Sequence, residues 1–107
     1  EAAYRADGSL QLAFNHTSRA HRRMGDILER RGDAAGALGM YRFSLDWIRS
    51  REGDPTMGQP TLKYGTFFFS TMCASMLERL GRRAEADALL DGPLRDYLAF
   101  LDGEENG

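Results

Sequence analysis

The chain has 107 residues, which suffices for one domain with a single core and is too short for two independent cores. It is 42% hydrophobic, 28% charged and 10% aromatic, a globular composition that argues against a disordered chain. The formal net charge of −2 gives no reason to expect nucleic acid or an anionic membrane as a partner. No apolar run approaches the roughly 18 residues that span a bilayer. The single cysteine, Cys73, excludes an internal disulfide and fits a reducing, cytoplasmic compartment.

The first half of the chain predicts two helices. Apolar and small residues recur at three- and four-residue steps through residues 10–31, which places them on one stripe of a helix. Gly32 ends this helix, and Asp33 is suited to cap the next one. The same spacing resumes over residues 34–50. Two helices joined by so tight a turn predict an antiparallel hairpin over about residues 10–50.

The second half predicts another hairpin after a loop. Residues 51–60 contain two prolines and two glycines and form the predicted loop. Pro60 suits the first position of a helix, where its missing N–H is not needed. An apolar stripe then continues to a glycine turn at Gly81, and a fourth helix begins near Arg82. We expect this second hairpin to cover about residues 61–101 of one single domain.

The fourth helix carries a potential interruption at Asp91-Gly92-Pro93, because proline removes a helical hydrogen bond and clashes with the preceding turn. The sequence leaves two outcomes open here: a kink, or a short C-terminal capping helix that starts at Pro93. The acidic, glycine-containing end, residues 102–107, is predicted to be frayed.

The two halves match at an offset of 49 residues, the distance from Gly32 to Gly81. Each half has apolar, small and apolar residues, then a turn glycine, an alanine and a large apolar residue at identical spacings. Small side chains let the helices of a hairpin approach closely, and large neighbours fill the space beside the contact. The matched positions, which we predict to pack each hairpin, are Met24, Gly25, Leu28, Gly32, Ala37 and Tyr41, then Cys73, Ala74, Leu77, Gly81, Ala86 and Leu90.

The matched pattern resembles the tetratricopeptide repeat. Residues 25–38, GDILERRGDAAGAL, carry the resemblance best, and residues 77–90 carry it in the second half. The usual period is about 34 residues, so the longer offset is more similar to bacterial tetratricopeptide arrays with an extended first helix. The resemblance implies an all-α fold, two antiparallel hairpins with four main helices, as in a segment of an α-α superhelix. The alternative is a plain four-helix bundle whose halves agree by chance.

No catalytic signature is present, and we expect no enzyme activity, cofactor or metal. His16 and His21 are five residues apart, about 140° around a helix, which is a poor arrangement for a shared metal. Cys73 lies on the apolar stripe and is predicted to be a buried, inert thiol. Asp26 and Glu29 lie one turn apart among arginines, so salt bridges explain them more simply than acid–base chemistry does.

The resemblance implies a concave groove lined by the first helix of each hairpin. A surface of this kind predicts a non-enzymatic interaction module that binds a peptide or helix of a partner protein. The implied groove residues include both positively and negatively charged side chains and one aromatic side chain, a combination that suits a partner segment of mixed polarity. The implied groove residues are Arg19, Arg22, Asp26, Glu29, Arg30, Phe68, Thr71, Ser75, Glu78 and Arg79.

A second hypothesis is a self-associating structural segment of a larger regulatory or signalling protein. Five arginines and two acids lie between residues 16 and 31, whereas seven acids and one arginine lie between residues 84 and 107. Ends of opposite charge favour head-to-tail contacts and a homo-oligomer. The aromatic residues Tyr64 and 67–69 cannot all face one core on a helix, so at least one ring is expected to be exposed.

Overall fold

The computed structural model describes residues 9–106, with side chains from residue 19 to residue 103. These residues form four helices and no strand: α1 (Ser9–Arg30), α2 (Ala34–Arg49), α3 (Gln59–Arg79) and α4 (Arg83–Asn106). Each helix packs against its neighbours in the chain, α1 on α2, α2 on α3 and α3 on α4. The predicted all-α fold of two helical hairpins is confirmed. None of the four helices combines the length and apolar character that crossing a bilayer requires.

The two hairpin turns are the same structure repeated. Gly32 and Gly81 have φ angles of +83° and +78°, a left-handed conformation that glycine adopts without steric cost. In the first turn the Asp33 N–H donates to the Leu28 carbonyl at 2.9 Å, and in the second the Arg82 N–H donates to the Leu77 carbonyl at 2.9 Å. This is the Schellman arrangement that ends helices. The internal match therefore extends from residue types to individual hydrogen bonds.

The start of α2 follows from Asp33, whose carboxylate accepts a hydrogen bond from the Gly36 N–H at 2.8 Å. This bond satisfies one of the donors left free at a helix N-terminus. Helix α3 begins at Gln59, with Gly58 before it and Pro60 in its first turn. It therefore starts two residues earlier than the predicted loop allows, and Pro60 is not the first helical residue.

The connection between the hairpins is ordered by its own side chains. The Asp54 carboxylate accepts hydrogen bonds from the Thr56 N–H at 2.9 Å and from the Thr56 hydroxyl at 2.7 Å. These bonds lower the pKa of Asp54. Next to this turn, Met57 is buried in the core. Sequence analysis treated the segment only as a loop and did not identify Met57 as a core residue.

Helix α4 runs continuously through Pro93 to Asn106. The alternative of a separate capping helix is therefore wrong, and the predicted frayed tail includes residues 102–106 that are helical; Gly107 lies outside the described residues. Ala86 is buried before Pro93, and the Tyr97 ring stacks on Phe67 at 5.0 Å after it. Packing on α3 on both sides of the proline offsets the lost hydrogen bond. Residues 94–106 contain no proline, and adding residues to an existing helix avoids the free-energy cost of nucleating a new one.

The core is built mainly from the two inner helices, since only α2 and α3 have neighbours on both sides. Met24 differs from its predicted packing role, because its side chain is 51% exposed whereas its counterpart Cys73 is fully buried. The reason is that, among the described helices, only α2 packs closely on α1, whereas α3 reaches α1 through side-chain contacts alone. The buried core residues are Ala37, Leu38, Tyr41, Leu45, Ile48, Met57, Leu62, Phe69, Cys73, Ala74, Met76, Leu77 and Ala86.

Candidate functional site

Arg22, Asp26, Glu29 and Arg30 of α1 lie beside Phe68 and Arg79 of α3 on a surface that we call the α1–α3 face. It has two shallow depressions that share Asp26 at their boundary. One, of about 440 Å³, is lined by Arg19, Ala20, Arg22, Arg23 and Asp26. The other, of about 410 Å³, is lined by Asp26, Glu29, Arg30 and Arg79.

Two pairs of side chains bridge α1 and α3 across this face. The Arg22 guanidinium lies over the Phe68 ring, with its central carbon 4.8 Å from the ring centroid. Such a contact between a cation and an aromatic ring contributes about 0.5–1 kcal/mol at an exposed site. The Arg79 guanidinium forms an ion pair with Glu29 at 2.8 Å. The described backbones of α1 and α3 do not contact each other. Side chains alone therefore define the floor of the face.

Tyr41 reaches this face from beneath. Its ring is fully buried between the helices of the first hairpin, and its hydroxyl lies 2.6 Å from an Asp26 carboxylate oxygen and 3.0 Å from a Glu29 carboxylate oxygen. The hydroxyl has one proton to donate, which the two carboxylates share. Burial, followed by these hydrogen bonds and the two negative charges, raises the pKa of Tyr41. Tyr41 thus holds the two acids of α1 in place.

Gly25 makes room for Tyr41 to pass. A Cβ atom at position 25 would lie 2.5 Å from Tyr41 Cε1, far inside van der Waals contact. In the second hairpin the equivalent pair is Ala74 and Leu90, a larger residue on the first helix against a residue without an aromatic ring. In each hairpin the size of the residue on the first helix therefore compensates for the size of its partner on the second: the smaller glycine accompanies tyrosine, and the larger alanine accompanies leucine.

The electrostatic character of the α1–α3 face follows from these contacts. Asp26 and Glu29 are already engaged by Tyr41, and Glu29 also by Arg79. By contrast, Arg19, Arg23 and Arg30 form no ion pair with the residues that the structure describes. The face therefore offers guanidinium groups to a ligand more readily than carboxylates.

Four predicted groove residues line neither depression: Phe68, which contacts Arg22, and Thr71, Ser75 and Glu78. The Thr71 hydroxyl donates to the Phe67 carbonyl within α3 at 2.9 Å. Glu78 lies 3.9 Å from Arg83 at the start of α4, and Ser75 is exposed without a role in either depression. The polar residues on this side of α3 thus contribute less to the face than the resemblance implied.

Sequence analysis missed three contributors to the face. Arg23 lines a depression but was not assigned to the groove. Tyr41 was assigned only to packing, although a tyrosine at a buried position usually needs a polar partner for its hydroxyl. Tyr64 is half exposed and stacks on Phe68 at a centroid distance of 5.7 Å, which extends the aromatic part of the face. The expected exposed ring of the aromatic cluster is this one.

The remaining chemistry-bearing residues lie elsewhere. Burial raises the pKa of Cys73 to about 11, so its thiol is protonated and unreactive at neutral pH. The His21 ring stacks on Phe43 at 3.8 Å; the side chain of His16 is not among those described. Within the described part of the chain, no three potential ligands cluster as a metal site requires. A cavity of about 180 Å³ between the loop, α3 and α4 is smaller than typical small-molecule pockets, which start at about 300 Å³.

Comparison with protein-family models, with curated proteins and with solved structures finds no match to this chain.

Proposed function

We propose that this chain is a non-enzymatic, tetratricopeptide-like interaction module that binds a peptide or helix of a partner protein on the α1–α3 face. The observation that carries the proposal is the engagement of Asp26 and Glu29 by Tyr41, beside arginines that lack ion-pair partners among the described residues. A surface whose acids are satisfied internally and whose cations point outward is suited to receive carboxylates. A cytoplasmic location is part of the proposal and is supported by the free thiol of Cys73.

The expected ligand follows from the composition of the face. Guanidinium groups from Arg19, Arg22 and Arg30 pair well with carboxylates, in which two parallel hydrogen bonds add geometric specificity. The rings of Tyr64 and Phe68 offer an apolar contact beside them. We therefore expect a segment of mixed polarity, in which acidic residues alternate with at least one apolar or aromatic anchor.

A selection of random peptides displayed on phage tests the proposal, followed by fluorescence anisotropy with the synthetic peptides selected. The double variant Arg22→Glu and Arg30→Glu should weaken binding by at least about tenfold, because it replaces attraction by repulsion. The matched control is Arg42→Glu and Arg49→Glu, which changes the net charge equally on α2. Neither control residue lines a depression of the α1–α3 face.

All four arginines are exposed, so both variants should keep the helical circular dichroism of the unchanged chain. The α1 variant should melt at a temperature lower by only a few degrees, because it loses the contact between Arg22 and Phe68. The proposal is supported if only the α1 variant loses binding and the selected peptides are enriched in Asp or Glu. Equal losses in both variants would indicate attraction to overall charge instead. Undiminished binding by the α1 variant would place the interaction elsewhere and overturn the proposal.

A further inference from the structure

The internal repeat shows which surfaces of the outer helices lack a neighbour. Met24 and Ile27 on α1 are 51% and 42% exposed, whereas their counterparts on α3, Cys73 and Met76, are 0% and 1% exposed. Gly25, by contrast, is buried just as its counterpart Ala74 is. This small position, at which the helices of a hairpin pack, is thus buried in both halves, whereas the positions of Met24 and Ile27 are buried only in α3.

Helix α4 shows the same difference at the other end. Leu45 on α2 is 1% exposed, whereas its counterpart Leu94 on α4 is 37% exposed. Leu98 and Leu101, four and seven residues after Leu94, are also exposed and continue the same helical stripe. The apolar stripe of α4 therefore starts at Leu94, the position that corresponds to the buried core residue Leu45 of α2.

The contact between α2 and α3 explains both differences. Helix α3 packs closely on α2 as well as on α4. Among the described helices, α1 packs closely only on α2 and α4 only on α3, while α1 and α3 are joined by side-chain contacts alone. The positions covered in the inner helices and open in the outer ones are those that the α2–α3 contact covers. Met24, Ile27 and Leu94 therefore have the positions of residues that lie at that contact. Leu98 and Leu101 extend the stripe of α4 beyond it, since their counterparts on the α2 side, Arg49 and Glu52, are exposed.

The charges beside the two stripes are of opposite sign. Arg23 lies four residues before Ile27 on α1, and Arg31 lies four residues after it in the turn that follows α1; both are exposed. On α4, Asp87 lies two turns before Leu94, and Asp102 lies four residues after Leu98. Basic groups flank the stripe of α1, and acidic groups predominate beside the stripe of α4, where Arg95 is paired with Asp91. The two surfaces are complementary to each other, whereas each would repel a copy of itself.

We infer that a second copy of this chain docks head to tail, with the apolar stripe of its α4 on Met24 and Ile27 of α1, in the way that α2 packs on α3. The contact joins two different surfaces, so a dimer retains one free α1 stripe and one free α4 stripe. Such a heterologous contact builds rings or open chains. The inference stands independently of peptide binding on the α1–α3 face.

Sedimentation velocity on two blocked variants tests this geometry. Met24→Glu with Ile27→Glu blocks the α1 stripe, and Leu94→Glu with Leu98→Glu blocks the α4 stripe. The unchanged chain should form species larger than a monomer, increasing with micromolar concentration, while each blocked variant alone should be monomeric. An equimolar mixture of the two variants should form a one-to-one dimer and nothing larger, because one intact stripe of each kind remains.

Each other outcome overturns the inference. A monomeric unchanged chain shows that the stripes do not associate, and a blocked variant that dimerises alone shows that like surfaces pair. A mixture that stays monomeric shows that the two stripes are not partners. Should a blocked variant lose its helical circular dichroism, Arg23→Glu with Arg31→Glu replaces it at the α1 end. That charge variant should weaken self-association by about tenfold or more, and unchanged association would contradict the inference.

Discussion

At the scale of single residues, Tyr41 connects the core to the candidate site. The helical spacing predicted that Tyr41 is buried, and this much follows from periodicity alone. The hydrogen-bond partners of its hydroxyl do not follow from periodicity, because the spacing within one helix does not show which acids of another helix lie within hydrogen-bonding distance. Asp26 and Glu29 were interpreted as salt-bridge partners of nearby arginines. Among the described residues Asp26 forms no ion pair and Glu29 pairs with Arg79 of α3, while the Tyr41 hydroxyl donates to both acids.

Replacing Tyr41 by phenylalanine should lower the free energy of unfolding by about 2 kcal/mol at pH 7, because the two carboxylates lose a buried donor. The pKa of Tyr41 is raised on folding, so the folded chain keeps its proton at a pH where the unfolded chain releases it. The stabilisation is complete below about pH 10, the ordinary tyrosine pKa, and declines above it by up to about 1.4 kcal/mol per pH unit.

Urea denaturation of both proteins between pH 7 and the alkaline range measures this. The stability difference between the unchanged chain and Tyr41→Phe should shrink above about pH 10. Tyr64→Phe, on a half-exposed ring, is the matched control and should have little effect at pH 7. A Tyr41→Phe variant as stable as the unchanged chain at pH 7 would contradict the assigned hydrogen bonds.

At the scale of helices and hairpins, the sequence predicted the turns more accurately than the ends. Gly32 and Gly81 determine where the hairpins turn, because local backbone conformation decides a tight turn. The continuity of α4 through Pro93 was not predictable in this way. It depends on residues such as Tyr97 that anchor α4 to another helix, and this tertiary packing is invisible in the local sequence.

The compensation between positions 25 and 41 gives a prediction at this scale. Gly25→Ala should destabilise the chain, because overpacking against Tyr41 costs about 1–3 kcal/mol while alanine regains only about 1 kcal/mol of helix propensity. In a Tyr41→Leu background, which copies the Ala74–Leu90 pair, the same change should become neutral or stabilising. A double-mutant cycle from urea denaturation measures this coupling. An equal effect of Gly25→Ala in both backgrounds would show that the ring does not require the glycine.

At the scale of the whole molecule, position in the stack decides what each helix exposes. The sequence predicts the stripe that contains Met24, but burial depends on a closely packed neighbouring helix, and among the described helices α1 has only α2 in that position. Likewise, the resemblance indicated the side of α1 and α3 that forms the candidate site. It did not indicate that polar residues of α3 such as Glu78 lie outside the depressions, because side-chain pairing with α4 is a property of the assembled fold.

The most direct test of the α1–α3 face as a binding surface is amide chemical-shift mapping by NMR during titration with a selected peptide. We predict that the largest shifts fall within residues 19–30 and 64–79, together with Tyr41 beneath them. Shifts confined to the outer surface of α2 or to the apolar stripe of α4, with residues 19–30 unchanged, would contradict the account.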